Sequence, residues 1–379
     1  MTDSPHFSQP DHPARIFEAR LDAIRTRARA FKIDYLVLSP GDDLVYLLGM
    51  PMHSHERLTA LVVPSAPAEA PTLLLPRVED TAAVRSAADL VGAEVVVWAD
   101  GEDPLAGLVA QLKEGAAAAV SAAMPARHLL PLQDRLGRVV LPAAGVIDVV
   151  RAIKAPFERE LLSEAARRID AVHARMGEFL VAGRTENEVA QLLERAIVEE
   201  GLTHPEFVIV GSGPNGADPH HGSSGRIIES GDVVVVDIGG PVVEGYHSDC
   251  TRTYTMGEPT AEVVEAYSYL EEAQRRAREI IRPGIRMGEI DSAARDFLTA
   301  HGLGEAFIHR TGHGIGLGLH EPPSVVAGNE TPVEEGMTFS VEPGIYFPGK
   351  WGARLEDIVE VTADGVRELN NGRRELRKL

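Results

Sequence analysis

Residues 231–255 read GDVVVVDIGGPVVEGYHSDCTRTYT, two strand-like runs separated by a short turn. The first run is apolar and ends with Asp237 and two glycines, whereas the second alternates in polarity around Asp249. The two aspartates are symmetric about Val243, so a hairpin centred there would bring their Cβ atoms to about 5 Å. Two carboxylates at that distance repel, and a bound cation removes the repulsion.

A second pair of strand-like runs near the C-terminus repeats this pattern. Residues 337–344 carry Glu342 and residues 353–361 carry Glu356, and both glutamates are symmetric about Gly349 in a Phe-Pro-Gly-Lys turn. Period 2 places Ser340 on the face of Glu342, and Arg354 on the face of Glu356. Two such hairpins would together present four carboxylates to one site.

A glycine-rich segment, TGHGIGLGLHEPP at residues 311–323, lies between the two pairs. Its glycines do not match a nucleotide-binding loop, and its histidines do not form the H-E-x-x-H zinc motif. Glycines on both sides of His313 allow close backbone approach, so its imidazole can add a nitrogen ligand to the four carboxylates. Each of these residues alone is more often an ordinary turn or loop residue. Their combination in one domain favours a metal site.

The organisation of the chain predicts two domains, residues 1–150 and 151–379. The first alternates helical and apolar strand-like runs, which is typical of an α/β unit, and its alanine run at 116–119 is interpreted as helix or surface loop. The second begins with a long amphipathic helix and a capping box at Thr185-Glu-Asn-Glu188. Further helices at 261–281 and 288–301 alternate with strands, so the fold class is α+β.

The composition excludes several classes of partner. The chain has 37 Lys and Arg against 57 Asp and Glu, a net charge of −20, which disfavours nucleic acid and anionic membranes. Its apolar runs are too short to span a membrane, and the N-terminus does not resemble a secretory signal. The single cysteine, Cys250, is interpreted as a buried, reduced side chain. These features predict a cytoplasmic protein.

Six short motifs together resemble the pita-bread metallopeptidases, the family of prolidases, aminopeptidase P and methionine aminopeptidases. They are Val236-Asp-Ile-Gly239, Ser248-Asp-Cys-Thr-Arg-Thr253, Gly312-His-Gly-Ile-Gly316, His320-Glu-Pro-Pro323, Val341-Glu-Pro-Gly-Ile-Tyr346 and Arg354-Leu-Glu-Asp357. The resemblance covers residues 151–370 closely. It implies a C-terminal pita-bread (creatinase/aminopeptidase) catalytic domain, preceded by a smaller α/β creatinase-type N-terminal domain.

The resemblance also implies roles for individual residues. Asp249 and Glu356 would bridge two metal ions, Asp237 would bind one of them, and His313 with Glu342 would complete the other. Glu342 is the expected general base. Catalytic and substrate-binding roles are expected for His220 and His320, with His221 as the alternative to His220. Arg354 and Tyr246 are expected to contact substrate, Arg354 through a carboxylate.

The expected reaction is hydrolysis of the peptide bond before proline. Two divalent ions would supply an activated water and stabilise the oxyanion, and the oxygen-rich ligand set suits Mn²⁺, with Co²⁺ and Zn²⁺ as alternatives. Xaa-Pro dipeptides are preferred as substrates over the longer peptides of an aminopeptidase P, and a non-catalytic binding protein is a further alternative. The partners are therefore proline-containing di- or oligopeptides. A homodimer is expected from the family and from the frequency of two-fold assemblies.

Overall fold

The computed structural model describes residues 13–52 and 56–379. The chain divides into two compact units, and the division falls between Arg151 and Ala152.

The first unit is built on a six-stranded sheet in the order β4-β3-β2-β1-β5-β6. Its strands are β1 (Tyr35–Leu38), β2 (Ala60–Pro64), β3 (Thr72–Pro76), β4 (Glu94–Trp98), β5 (Ala118–Val120) and β6 (Leu141–Pro142). Its helices are α1 (Pro13–Ala30), α2 (Asp42–Leu48), α3 (Ala82–Asp89), α4 (Pro104–Val109), α5 (Ala126–Leu136) and α6 (Ala144–Ala152). The sheet is mixed, because β1, β2 and β3 pair antiparallel whereas β3–β4, β1–β5 and β5–β6 are parallel.

The alanine run at 116–119 was interpreted as helix or loop, which is confirmed as loop for Ala116 and Ala117 and wrong for Ala118 and Ala119. Ala118 and Ala119 belong to β5, are buried, and pair in parallel with Tyr35 and Leu36 of β1. Alanine favours helix in isolation, but burial beside a central strand overrides that local preference.

The second unit contains three sheets: β17-β9-β8-β7, β11-β10-β12-β15-β16 and the pair β13-β14. Its strands are β7 (Phe207–Ser212), β8 (Val233–Pro241), β9 (His247–Thr255), β10 (Gly312–Gly314), β11 (Glu321–Val325), β12 (Thr338–Val341), β13 (Gly344–Phe347), β14 (Trp351–Arg354), β15 (Asp357–Val361), β16 (Val366–Glu368) and β17 (Arg377–Lys378). Its helices are α7 (Pro156–Ala174), α8 (Met176–Phe179), α9 (Glu186–Glu199), α10 (Ala261–Glu279) and α11 (Met287–Ala300).

The amphipathic pattern of the first long helix is realised by two helices, because α7 ends before Arg175 and α8 follows it. The predicted apolar face is buried along both, at Leu161, Ala165, Ile169, Val172, Met176 and Phe179. The capping box before α9 is confirmed: Thr185 Oγ1 accepts from Glu188 N, and the Glu188 carboxylate accepts from Thr185 N.

Helices α10 and α11 cover one face of the five-stranded sheet. Their apolar residues pack in one core with Phe339 and Val341 of β12 and with Val359 and Val361 of β15. Because strand side chains alternate, Ser340 and the residue after β12, Glu342, are directed to the opposite face. The helices therefore fix which face of the sheet carries the polar residues.

The hairpin β8–β9 differs from its predicted register by two residues. Asp237 pairs with Thr251, and Asp249 pairs with Gly239, so the hairpin is centred on Glu244 and not on Val243. The turn needs five residues, and its Gly245 has φ +87°, a backbone conformation that favours glycine. The two aspartates stay on one face, because a shift of two keeps the alternation, but they are diagonal neighbours.

The register predicted for the second hairpin, centred on Gly349, is confirmed. Gly344 pairs with Arg354, and Val341 pairs with Asp357. The ladder is interrupted between these pairs, at the positions of Glu342 and Glu356. There the backbone N–H of Glu342 donates to Thr311 O (2.7 Å), and that of Glu356 donates to Thr251 O (3.2 Å). One long hairpin is thus divided into the pairs β12–β15 and β13–β14.

Candidate metal centre

Five side chains from five different segments meet in the second unit. Asp237 lies within β8, Asp249 within β9 and His313 within β10, while Glu342 follows β12 and Glu356 precedes β15. Four of them are buried, and Glu342 is partly exposed. The strand pairs β8–β9, β10–β12 and β12–β15 therefore fix the positions of these side chains.

The ligand atoms of these residues form three overlapping groups, each within 4.8 Å. The first group is Asp237, Asp249 and Glu356, and the second is His313, Glu342 and Glu356. The third adds the exposed His320 to Asp249 and His313. Asp249, Glu356 and His313 each belong to two groups. Of these, the two carboxylates have two oxygens each and can contact two neighbouring ions.

The acids have the electrostatics of a cation site. Burial, followed by repulsion from Asp237 and Glu342, raises the pKa of Asp249 well above its usual range. Burial and repulsion from Asp249 do the same to the pKa of Glu356. A buried carboxylate that cannot easily ionise is stabilised in its charged form by a cation.

Two buried carboxylate oxygens give a second indication that the cluster is suited to a divalent cation. Within residues 13–52 and 56–379, no hydrogen-bond donor reaches Asp237 Oδ1 or Glu356 Oε1. Buried polar atoms without a partner are rare and costly in folded proteins. Both atoms belong to the group that also contains Asp249, where hard oxygen ligands for a divalent ion are expected.

Arg354 lies fully within this cluster. Its Nη2 donates to Asp237 Oδ2 (2.5 Å), its Nε to Thr251 Oγ1 (3.0 Å), and its Nη1 to Tyr346 Oη (2.8 Å) and Pro219 O (3.3 Å). All three guanidinium nitrogens thus contact protein groups. This geometry supports a role in holding Asp237 in place rather than in binding the carboxylate of a substrate.

The histidines separate into two environments. The ring of His320 packs edge-on against that of His313, with centroids 4.2 Å apart. Burial, then the neighbouring His313, lowers the pKa of His320 to about 4, so the ring is neutral at pH 7. His220 is exposed and close enough to lower the pKa of His320 further, whereas His221 Nε2 contacts Glu186 Oε2 at 2.8 Å. His221 is therefore engaged by Glu186, and the role of His220 at the substrate stays a prediction.

Tyr246 was expected to contact substrate, and the structure shows one partner of its hydroxyl group. Its side chain is buried, and its hydroxyl donates to Glu158 Oε1 at 2.5 Å. The other oxygen of Glu158 accepts from Ala155 N at the start of α7. Tyr246 is thus linked to the start of α7, and its contact with substrate stays a prediction.

Three polar residues of the site, Thr251, Tyr346 and His309, were not assigned to it from the sequence, whereas Ser340 was already placed on the face of Glu342. Thr251 Oγ1 donates to Glu356 Oε2 (2.7 Å), and Ser340 Oγ donates to Glu342 Oε1 (3.1 Å). Tyr346 and His309 contact each other at 2.9 Å, beside Arg354. Thr251 lies two residues from the predicted ligand Asp249, so strand alternation could have indicated it as well.

The raised pKa of Asp249 predicts the pH dependence of the metal-free protein. A folded-state pKa above the unfolded one adds stability that is fully present below the unfolded pKa and lost as the pH rises through the folded pKa. Asparagine mimics the protonated acid at every pH. Metal-free Asp249→Asn should therefore match wild type only below the unfolded aspartate pKa of about 3.9, and its advantage in stability should grow as the pH rises from 5 to 8.

Each pKa unit corresponds to about 1.4 kcal/mol, or roughly 3–6 °C in Tm for a domain of this size. Scanning calorimetry after chelation measures the difference. Burial lowers the pKa of His173 to about 3, so this histidine makes the protein less stable as the pH falls, the opposite of the effect of Asp249. The contribution of His173 is the same in both proteins and cancels when their Tm values are compared. A difference in Tm that does not grow between pH 5 and pH 8 would contradict the prediction.

Comparisons with known proteins agree with this arrangement. Residues 160–363 match the model of metallopeptidase family M24, and residues 20–153 match that of the creatinase/prolidase N-terminal domain. A probable dipeptidase PepE of Mycobacterium tuberculosis is 52% identical over 365 residues, which cover 96% of each chain.

Two solved structures are similar over nearly their whole length. The dipeptidase PepE of Mycobacterium ulcerans has a TM-score of 0.93 at 49% identity, covering 97% of this chain and 99% of that one. A prolidase from Thermococcus sibiricus has a TM-score of 0.89 at 36% identity, covering 96% of this chain and 99% of that one. Among the helices of the described residues, none is long and apolar enough to cross a bilayer.

Proposed function

Because the chain belongs to metallopeptidase family M24, we propose that it hydrolyses the peptide bond before proline, preferentially in Xaa-Pro dipeptides. The observation that carries the proposal is the cluster of four carboxylates and one imidazole, whose ligand atoms form overlapping groups. Family membership makes the chain a metallo-exopeptidase that uses divalent metal ions. The similarity to a prolidase along 96% of this chain supports proline as the second residue of the substrate.

We propose that Asp237, Asp249, His313, Glu342 and Glu356 hold two divalent ions. Asp249 and Glu356, which each belong to two groups, are the proposed bridging ligands. Mn²⁺ is the preferred ion, since hard oxygen ligands dominate the set and a single imidazole completes it. When bound, the ions activate water and stabilise the charge that develops on the carbonyl oxygen.

The chain's own residues supply the remaining chemistry. Burial raises the pKa of Glu342, but His313 and His309 counteract it and keep the pKa below its usual value, so this residue is a carboxylate at neutral pH. Ser340 Oγ donates a hydrogen bond to Oε1 of Glu342. We propose that Oε2 of Glu342 accepts the proton of the attacking water and delivers it to the proline nitrogen. Neutral His320 can donate a hydrogen bond to the substrate carbonyl, and His220 contacts the substrate from the opposite loop.

Substrate length tests the proposal directly. The metal-stripped protein, reloaded with Mn²⁺, should cleave Xaa-Pro dipeptides with a kcat/KM at least about tenfold above that for Xaa-Pro-Xaa tripeptides, since discrimination of a free carboxylate is worth 1–3 kcal/mol or more. Dipeptides without proline serve as the control, and parallel reloading with Co²⁺ and Zn²⁺ identifies the preferred ion.

Two results would change the proposal in different ways. Faster cleavage of the tripeptides would make the protein an Xaa-Pro aminopeptidase and leave the metal site as described. No cleavage of any Xaa-Pro peptide by protein that binds two metal ions would refute the proposed function and favour a binding protein.

The oligomeric state and the cellular location of the protein are part of the same proposal. We propose a homodimer, since two-fold assemblies are the commonest oligomers, and sedimentation velocity would measure its mass. The only cysteine of the sequence, Cys250, is free and buried, which suits a reducing cytoplasm.

A further inference from the structure

Glu186, the first residue of α9, is the centre of a buried hydrogen-bond network. Its side chain is fully buried. One carboxylate oxygen accepts from Ser212 N (2.8 Å) and Ser212 Oγ (2.7 Å), and the other accepts from Ser224 N (3.1 Å) and Ser224 Oγ (2.6 Å). Asn215 Nδ2 donates to both oxygens, at 3.1 and 3.2 Å. His221 Nε2 completes the set at 2.8 Å. Every one of these partners belongs to residues 212–224, which we call the His220 segment.

The carboxylate keeps its charge because of these contacts. Burial alone would raise the pKa of Glu186, but the hydrogen bonds from Ser224, Ser212 and His221 outweigh burial and lower the pKa to about 2. An ionised carboxylate that is buried without partners costs several kcal/mol. The His220 segment therefore cannot move away from α9 without leaving a bare buried charge.

The opposite side of the His220 segment faces the metal centre. Pro219 O accepts from Arg354 Nη1, the guanidinium that also holds Asp237. Gly216 packs against Gly352 of β14 so closely that a Cβ on Gly352 would collide with the Gly216 carbonyl. His220 lies between Pro219 and His221. It is thus held between a contact to the metal centre on one side and the Glu186 network on the other.

We propose that Glu186 and His221 are positioning residues, which fix the His220 segment so that His220 meets the substrate. His221 does this through its contact with the carboxylate and has no contact with substrate itself. This inference depends on the proposed function in one respect, namely that His220 contacts the bound peptide. It also explains why two adjacent histidines have different roles: one is turned inward to an anion and the other is left exposed.

A double-mutant cycle on kcat/KM for an Xaa-Pro dipeptide tests the proposal. We expect His221→Ala to lower kcat/KM about 10–30-fold with two metal ions still bound, because His220 loses its fixed orientation. In a His220→Ala background the same change should cost less than about twofold, since the residue that it positions is gone. The control is His204→Ala, which removes an exposed histidine–glutamate contact outside the site and should have no effect.

Hydrogen exchange gives a second readout that does not depend on activity. In His221→Ala the amides of Ser212 and Ser224 should exchange faster, since their acceptor is less tightly held, while those of β8 and β9 should not change. Glu186→Gln should give the same pattern more strongly. If Glu186→Gln does not fold, His221→Ala alone decides the proposal.

Three results would overturn the inference: unchanged kcat/KM in His221→Ala, an equal loss in the His220→Ala background, or unchanged exchange across residues 212–224. If the wild-type protein cleaves no Xaa-Pro peptide, the proposed function fails first. The exchange measurement then tests the fixed segment by itself.

Discussion

Replacing Asp249 by alanine is expected to abolish turnover, with a loss in kcat on the order of 10⁴-fold or more. Asp249 belongs to two of the three groups of ligand atoms, so its loss removes a ligand from both proposed ions. It also removes a negative charge that raises the pKa of Glu356, so the remaining acids repel one another less and need a cation less. Metal content should therefore fall from two ions per chain to one or none.

Plasma mass spectrometry of the desalted variant, together with kcat on an Xaa-Pro dipeptide, measures both effects. Asp364→Ala is the matched control, because this exposed aspartate lies in the turn between β15 and β16. It should keep both ions and full activity. Two tightly bound ions and near-normal turnover in Asp249→Ala would remove the five-ligand proposal.

The second large effect is expected for Glu342→Gln. The amide preserves the shape of the side chain but cannot accept a proton, so kcat should fall about 10²–10⁴-fold, the usual contribution of a general base. KM should change much less, since the amide still fills the same space. Some loss of metal affinity is expected, because Glu342 is also a proposed ligand, and assays at saturating Mn²⁺ separate the two effects.

Glu335→Gln is the matched control for this substitution, since it makes the same change at an exposed position outside the site. The measurement is the pH dependence of kcat for both variants and the wild type. If Glu342→Gln had wild-type kcat and an unchanged pH–rate profile, another residue would have to be the base.

The ligand pairs could be predicted because strand alternation and turn symmetry are local properties. Gly349 was the correct centre of the second hairpin, and the fold class and family indicated by the motifs are confirmed. The register of β8–β9 was wrong by two residues, since its turn closes around Gly245 and the sequence allowed more than one centre. Because the error was even, both aspartates were still assigned to the correct face.

The remaining errors arose where distant contacts decide the outcome. Nothing near Glu186 in the sequence indicates that its six donors come from residues 212–224, because the partners are up to 38 positions away. The contact of Arg354 with Asp237, 117 positions away, also has no local signal in the sequence, and the expected contact of Arg354 with substrate stays a prediction. The burial of Ala118 and Ala119 likewise depends on their pairing with β1.

The break in the second hairpin separates the tip from the catalytic acids. Glu342 and Glu356 do not pair with each other through their backbones, because each donates to the segment that carries another ligand, at Thr311 and Thr251. A change in length at the 347–350 turn would shift β13 against β14, and the anchored residues at the break would stop that shift. A change confined to the exposed turn at residues 348–350 should therefore leave the ligands in place, whereas a shift of β14 would also move Arg354, which holds Asp237.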